Sequence, residues 1–441
     1  MNPDSFFSDL TRFGNEPALI DRASGRVIRY SELEQSLPVT PGGVVATWAP
    51  TSLDHLLVLL GALRRGSLVA PISHRLPREE AIRRAQNLGA TVFYSRSVGV
   101  PPTFEKLPIA GGTPALLEEA GTLLHTSGSS GHSRVVWHDL AAHIANAMGS
   151  SHRLPLEPGC GWLLQLPLNH VSGFSIAIRC LLSGAAVVFP DSKNLFEDER
   201  LTHLSVVSTQ LQRLLDSGAP LSRLHAVLVG GGPVSRGLVD RAIRSGVPLH
   251  ITYGMTEAAS QICTTDRLLE MPATLHAGTP LPGREIRISP DGEIQIRGPI
   301  LAKKALGPEG LWEDLADAEG WFGTGDLGSF TAEGNLVIQG RRDRLIISGG
   351  ENIQPEAIES LLLEFPGVRR AVVVGKPDPE FEERPVAFIA GDFQEAEVRQ
   401  FLASRLERFA IPQSFHPWPI AVRDDLAKLD FGFFKRLAAG I

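Results

Sequence analysis

The sequence is poor in cysteine and lysine, has no surplus of positive charge and contains no long apolar run. Three cysteines, Cys160, Cys180 and Cys263, are too few and too scattered for a disulfide framework or a CxxC metal site, and they fit a reducing compartment. With 42 Lys and Arg against 49 Asp and Glu the formal charge is −7, so no whole-molecule basic field exists to hold nucleic acid. Only seven lysines occur, at positions 106, 193, 303, 304, 376, 428 and 435, so any chemistry that needs a lysine has few candidates. The greasiest stretch, residues 56–63, is far shorter than a membrane span, and Met1-Asn2-Pro3-Asp4-Ser5 lacks a basic n-region and an apolar h-region. The expectation is a cytoplasmic protein with no stable membrane insertion and no nucleic-acid partner; a homo-oligomer is left open.

What is present is a chain of 441 residues, 43% hydrophobic and 21% charged, which predicts several domains and ample core. Short apolar runs alternate with helical patterns, as in 162–167, 176–182 and 185–189. From Val206 the cycle continues with a helix through Leu215, a strand at 226–229, a helix near Val239 and a strand at 249–253. This pattern predicts an α/β fold, with layered sheets flanked by helices and ligands at the C-terminal ends of parallel strands. Gly230-Gly231-Gly232-Pro233 and Gly254 stand at such ends, where a missing Cβ lets backbone approach a ligand. The charged turn Gly340-Arg341-Arg342-Asp343-Arg344 marks a boundary. Residues 1–340 are expected to form the large N-terminal domain, 341–343 a hinge, and 344–441 a small mobile α+β C-terminal domain, with strands at 345–348, 371–374 and 386–390 and helices at 355–363 and 395–409.

Thr126-Ser127-Gly128-Ser129-Ser130-Gly131-His132-Ser133-Arg134 lies between the apolar pair Leu123-Leu124 and Val135-Val136-Trp137, which predicts strand, loop, strand. Hydroxyls and open backbone N–H groups wrap phosphate oxygens, and Arg134 adds a fixed positive charge. A flexible Gly/Ser hairpin has the same composition, so composition alone leaves both readings open. A Walker loop is excluded, because GxxxxGK[ST] is absent.

Together with Tyr253-Gly254-Met255-Thr256-Glu257, Thr324-Gly325-Asp326 and Gly340-Arg341-Arg342-Asp343, in that order, this loop resembles the signature set of the acyl-adenylate-forming, AMP-binding enzymes. Ser133 and Arg134 stand where the family loop has Pro and Lys. The resemblance implies that Thr126, Ser127, Gly128, Ser129, Ser130, Gly131 and Arg134 hold the ATP phosphates. It implies that Gly231 and Gly232 line the adenine pocket, Tyr253 stacks on adenine and Thr256 touches the α-phosphate. Glu257 would bind Mg²⁺, a hard cation suited to carboxylate oxygens. Asp326 would accept from the ribose hydroxyls with Arg341 beside it, and Asp343 would be the hinge residue. The family's adenylation lysine maps best onto Lys428, in Ala427-Lys428-Leu429-Asp430, with Lys435 the second choice.

Four further stretches, 167–173, 209–215, 280–285 and 348–356, resemble the o-succinylbenzoate CoA ligase branch of menaquinone biosynthesis. That resemblance implies an acid–thiol ligase with ATP, Mg²⁺ and coenzyme A, acting by acyl-adenylate and then thioester formation. An aromatic dicarboxylate keeps one carboxylate unreacted, and burying it unpaired would be costly. Arg213, four residues after Thr209 and so on the same helical face, could pair with it. His170 and Ser172 would gate the acyl group, and Gly349 and Gly350 would give clearance for the pantetheine arm of CoA. A ligase for aryl or medium-chain acids with a neutral pocket, and a nucleotide-binding protein without activity, are the alternatives.

Overall fold

The computed structural model describes residues 3–96, 103–107, 119–126, 134–191, 196, 198–307, 309–420 and 430–440. Its largest sheet has nine strands, of which Leu249–Met255, Ala226–Val229, Leu201–Val206, Gly161–Leu163, Ala186–Phe189 and Pro17–Asp21 follow one another in parallel. Ser260–Thr264 extends one side of it antiparallel. A second sheet of eight strands has Val92–Ser95, Val44–Trp48, Leu68–Ile72 and Gly121–His125 parallel at its centre. The central strands are apolar and buried along their length, as in Leu-Val-Ala-Pro-Ile at 68–72, because both faces of such a sheet are covered.

Helix Leu53–Arg64 explains how the two sheets are joined. Ser52 caps it by accepting from the His55 amide at 3.2 Å, and ten of its residues are buried, so it is apolar all round. Its Leu56, Leu59 and Leu60 share one core with Val45 and Val69 of one sheet, Trp162 and Val187 of the other, and Ile144 and Phe174 of helices Leu140–Ser151 and Val171–Ser183. These three helices form the layer between the sheets. The outer faces are closed by helices Ser208–Asp216 and Arg236–Arg244 on the nine-stranded sheet and by Arg78–Asn87 on the other.

A four-stranded antiparallel sheet, Glu285–Ile288, Glu293–Arg297, Phe322–Phe330 and Leu336–Arg341, packs Ile294, Ile296 and Leu336 against Ala258 and Ile262. A short turn, Arg342–Arg344, then leads into the last sheet: Glu351–Ile353, Ile346–Ser348, Glu382–Gly391 and Val368–Asp378, with Ser414–Pro417 parallel to Glu382–Gly391. Residues alternate across this sheet with period two. Val373 and Ile389 face helices Pro355–Leu362 and Glu395–Ala403, while Val372, Val374 and Phe388 face Phe434 and Ala438 of helix Phe431–Ala439.

Two boundaries differ from the sequence expectation. The hairpin strands extend over 368–378 and 382–391, because main-chain pairing continues past the apolar residues that marked 371–374 and 386–390. The helix expected over 395–409 stops at Ala403; a short 3-10 turn, Arg408–Ala410, and then Pro412 return the chain to the parallel strand Ser414–Pro417.

Candidate adenylate site

The strand Leu249–Met255 carries the first part of the site. It is buried at Leu249, His250 and Ile251 and emerges at its C-terminal end, beside the glycine-rich end of Ala226–Val229. Gly254 is required there: a Cβ would lie 2.0 Å from the Ser260 carbonyl oxygen. The pairing register with Ser260–Thr264 shifts between Tyr253 and Gly254, and the intervening Thr256–Ala258 forms a 3-10 turn. Thr256 and Glu257 are therefore presented on a tight turn at the edge of the sheet. The Glu257 carbonyl accepts from the Ala302 amide at 2.8 Å, which ties this turn to the segment before Lys304–Leu306.

The second part comes from the four-stranded sheet. Tyr253 donates its hydroxyl to Asp326 Oδ2 at 2.6 Å. Arg341 donates to the other oxygen, Asp326 Oδ1, and to the Thr324 carbonyl, both at 3.1 Å. Pairing of Asp326 with Arg341 across adjacent strands sets this geometry. Gly325 sits between them at φ +73°, where an added Cβ would also press on the Arg341 guanidinium. Burial, then the nearby Asp326 charge, pushes the Tyr253 phenol well up, so it stays a proton donor. Arg341 also contacts Asp343, through Nε to Oδ1 at 3.3 Å. Tyr253, Asp326, Arg341 and Asp343 are thus one connected group.

At the predicted phosphate loop, strands Gly121–His125 and Val135–Asp139 run antiparallel, as expected, and the Thr126 amide donates to the Arg134 carbonyl at 2.7 Å to close the base. Ser127, Gly128, Ser129, Ser130 and Gly131 lie outside the described residues, and so does Lys428. Lys435 is exposed on helix Phe431–Ala439, whose N-terminus is capped by Asp430 accepting from the Phe433 amide.

On the acyl side, the helices that carry His170 and Ser172 and that carry Thr209 and Arg213 begin at the C-terminal ends of neighbouring parallel strands, Gly161–Leu163 and Leu201–Val206. Gln165 links those ends by donating to the Ser205 carbonyl at 3.1 Å. His170 is the exposed N-cap residue, Ser172 is half-buried, and Thr209 and Arg213 are exposed. Gly173 lets the helix start close to the preceding turn, where a Cβ would meet the Pro167 carbonyl at 2.2 Å. Gly231 and Gly232 are exposed at the end of Ala226–Val229. Gly349 and Gly350 have a conformational reason of their own: with φ of +58° and +82° they form the two-residue turn between Ile346–Ser348 and Glu351–Ile353, a turn in which both residues need positive φ.

A divalent cation fits the donor set. Among the described residues no group of three or more His, Cys, Asp or Glu could hold a metal by itself. That suits Mg²⁺, which is held by one or two carboxylates, waters and substrate phosphates. Glu257 is the hard oxygen donor on the turn.

Several residues of this neighbourhood were not picked out by sequence patterns. Thr324 accepts from Arg341 with its carbonyl and donates its hydroxyl to the Ile294 carbonyl at 2.8 Å; Glu293 accepts from the Gly325 amide at 2.8 Å. His138, fully buried, lies against the Thr256–Glu257 backbone without a hydrogen bond of normal geometry, and burial lowers its pKa to about 4. Beneath the turn, Asn146, Arg179 and Arg284 meet Ser260 and Gln261. No spacing in the sequence announces these tertiary partners.

Residues 112–304 match the model of the AMP-binding enzyme family, and residues 357–420 match that of the AMP-binding enzyme C-terminal domain. The 2-succinylbenzoate–CoA ligase of Salmonella typhimurium is 34% identical, over 94% of this chain and 93% of its own. The chain belongs to the AMP-binding enzyme family. Among solved structures, the o-succinylbenzoate CoA synthetase of Bacillus subtilis in complex with its acyl-adenylate intermediate superposes with a TM-score of 0.85 at 26% identity, covering 98% of this chain and 97% of that one. The same Bacillus subtilis enzyme in complex with ATP and magnesium ion superposes with a TM-score of 0.78 at 26% identity, covering 93% and 95%. The α/β fold expected from the sequence is therefore that of AMP-binding enzymes. Among the described residues no helix is long and apolar enough to cross a membrane.

Proposed function

We propose that this AMP-binding enzyme is an ATP-dependent, AMP-forming acid–CoA ligase that converts 2-succinylbenzoate to 2-succinylbenzoyl-CoA for menaquinone biosynthesis in the cytoplasm. The observation that carries the nucleotide half is the Tyr253–Asp326–Arg341 group at the strand ends. A carboxylate fixed by a tyrosine and an arginine presents oxygens to paired hydroxyls such as those of ribose. The similarity to the Salmonella enzyme over nearly the whole chain supports the acid.

In the first half-reaction a substrate carboxylate oxygen attacks the α-phosphorus of ATP, and pyrophosphate leaves with the electron pair of the broken P–O bond. Thr126, Arg134 and the loop between them hold the phosphates, Thr256 contacts the α-phosphate, and Lys428 neutralises the charge on the oxygens of the pentacoordinate α-phosphorus. Mg²⁺ on Glu257 supplies charge neutralisation at the phosphates. In the second, the CoA sulfur attacks the acyl carbon and AMP leaves. We assign residues 1–340 to the N-terminal domain, 341–343 with Asp343 to the hinge, and 344–441 to the mobile C-terminal domain, with Gly349 and Gly350 beside the CoA path. Gly231 and Gly232 border the adenine.

For the acid, the exposed Thr209, in the first turn of helix Ser208–Asp216, and Arg213, one turn further along it, meet the distal carboxylate, and His170 and Ser172 border the ring. Two helix N-termini opening at one sheet edge also favour an anion there. The test is a panel of acids in ATP–pyrophosphate exchange and CoA thioester formation. Removing the distal carboxylate, or Arg213→Ala, lowers kcat/KM by a factor on the order of 100, as for a lost charged hydrogen bond. Equal rates on benzoate-type and medium-chain monoacids would instead establish a neutral pocket.

A further inference from the structure

The strand that leaves the predicted phosphate loop, Val135–Asp139, alternates its side chains between two layers. Val135 and Trp137 belong to the core under helix Arg78–Asn87, while Val136 packs on the other face with Leu124, Val171 and Ala302. His138 shares that second face, opposite Thr122 on the neighbouring strand. An apolar residue would suit the position. The strand carries an imidazole there instead, completely buried, and neither ring nitrogen has a hydrogen-bond partner among the described residues.

Burial keeps this ring neutral, with its pKa lowered to about 4, so one nitrogen carries a hydrogen and the other a lone pair. Leaving both unused costs stability, and an apolar side chain of similar shape would remove that cost. A sequence that breaks a packing rule in this way does so most often at a functional site.

The ring faces the Thr256–Glu257 backbone, which favours a proton on it, as carbonyl oxygens do. The Thr256 carbonyl accepts from the Ala259 amide at 3.1 Å and the Glu257 carbonyl from the Ala302 amide at 2.8 Å, so each keeps a second lone pair. The next amide, that of Lys303, donates to the Trp137 carbonyl at 2.8 Å. One short segment therefore straps the turn to the strand directly beside His138. The ring is packed against His143, with 5.1 Å between centroids. His143 is in turn fixed by Thr122 Oγ1, 2.8 Å from its Nε2, and by Phe174, which meets it edge-to-face at 4.8 Å. This packing holds His138 toward the turn.

We infer that His138 is a positioning residue for the Thr256–Glu257 turn: its ring N–H completes a hydrogen bond to a carbonyl of the turn as MgATP draws that turn in, fixing Thr256 and Glu257 relative to the strand of the phosphate loop. The inference rests on the proposed function for the roles of those two residues. The penalty of the unpaired ring is relieved on binding, so it favours the bound arrangement of the turn.

The test uses the full chain carrying His138→Leu, His138→Phe, His138→Gln or His138→Asn. Urea unfolding gives the stability of the free protein, calorimetry the affinities for MgATP and for adenosine, and pyrophosphate exchange with 2-succinylbenzoate the KM for ATP. His138→Leu should be at least as stable as wild type and bind adenosine, which has no phosphate, equally well. Its MgATP affinity should fall on the order of tenfold, or about 1.4 kcal/mol, with KM for ATP rising in step. The better of His138→Gln and His138→Asn, which keep an N–H donor, should recover most of that loss. A His138→Leu protein that is less stable and loses MgATP and adenosine affinity alike establishes a packing role and overturns the inference. Unchanged MgATP binding in His138→Leu overturns it too, as do His138→Gln and His138→Asn proteins that bind no better than His138→Leu. If His138→Leu does not fold, His138→Phe decides by the same criteria, and failure of both to fold overturns the inference, because the ring is then needed for stability. Wild-type protein that binds MgATP, with this ordering among the variants, but exchanges no pyrophosphate with any acid overturns the ligase and leaves the role of His138 standing; wild type that binds no MgATP overturns both.

Discussion

The Tyr253 hydroxyl reaches Asp326 Oδ2 at 2.6 Å, joining the end of a parallel strand in the large sheet to an interior strand of a separate antiparallel sheet. Arg341 occupies the other carboxylate oxygen, so Asp326 is oriented from two sides before any nucleotide arrives. A preoriented carboxylate loses little freedom on binding, which favours affinity.

Asp326→Ala removes the proposed acceptor for ribose and should weaken AMP binding by a factor on the order of 10 to 100, as expected for charge-assisted hydrogen bonds. Tyr253→Phe keeps the aromatic face and removes only the orienting hydroxyl, so the loss should be roughly threefold to tenfold. Calorimetric titration with AMP measures both. An Asp326→Ala protein that binds AMP as tightly as wild type would remove Asp326 from the nucleotide site.

Lys428→Ala should lower acid-dependent pyrophosphate exchange by a factor on the order of 100 or more while thioester formation from preformed acyl-adenylate largely survives, because the role proposed for its charge is confined to the α-phosphate. Lys435→Ala, an exposed change on helix Phe431–Ala439, should leave exchange close to wild type. The opposite pattern in the two variants transfers the role to Lys435.

Stability should fall as the pH drops below about 6.5. Burial lowers His55 and His138 to about 4 and His203 to about 3, so the folded protein keeps these rings neutral while the unfolded chain protonates them. Between the unfolded value and those folded values the unfolded state binds more protons, and each histidine removes roughly 1 kcal/mol of stability per pH unit. Urea unfolding at pH 7.5, 6 and 5 tests this. A midpoint that does not move between pH 6 and 5 contradicts neutral burial.

Arg344 is buried between Glu356 and Glu359, at 2.9 Å and 2.5 Å, and its guanidinium carbon lies 3.8 Å from the centre of the Phe431 ring. Arg344→Met leaves buried carboxylates without a cation and should destabilise the protein by about 3 to 5 kcal/mol. Adding Glu359→Gln should restore part of that. If the double variant is no more stable in urea than the single one, the pair is not coupled.

Local patterns carried much of this protein. Strand and helix periodicity marked the parallel units from Leu201 to Met255, because burial on both sheet faces writes itself into runs of apolar residues. The resemblance to AMP-binding enzymes assigned Tyr253, Asp326 and Arg341 to the nucleotide and Asp343 to the hinge, and the structure joins the four side chains by hydrogen bonds. The Gly349-Gly350 pair is also local: positive φ at both positions is what the hairpin turn needs.

By itself, then, the sequence determined the layered α/β class, since period and turn residues act over a few neighbouring positions, and its resemblance to the AMP-binding enzymes carried the adenylate chemistry. Only the tertiary structure decided which distant residues meet behind the strand-end turn. Arg179 and Ser260 are 81 residues apart, Asn146 and Gln261 are 115 apart, and no local rule couples them. The extent of Val368–Asp378 and Glu382–Gly391 was likewise a tertiary outcome, because strand length follows from which backbone groups find partners across the sheet.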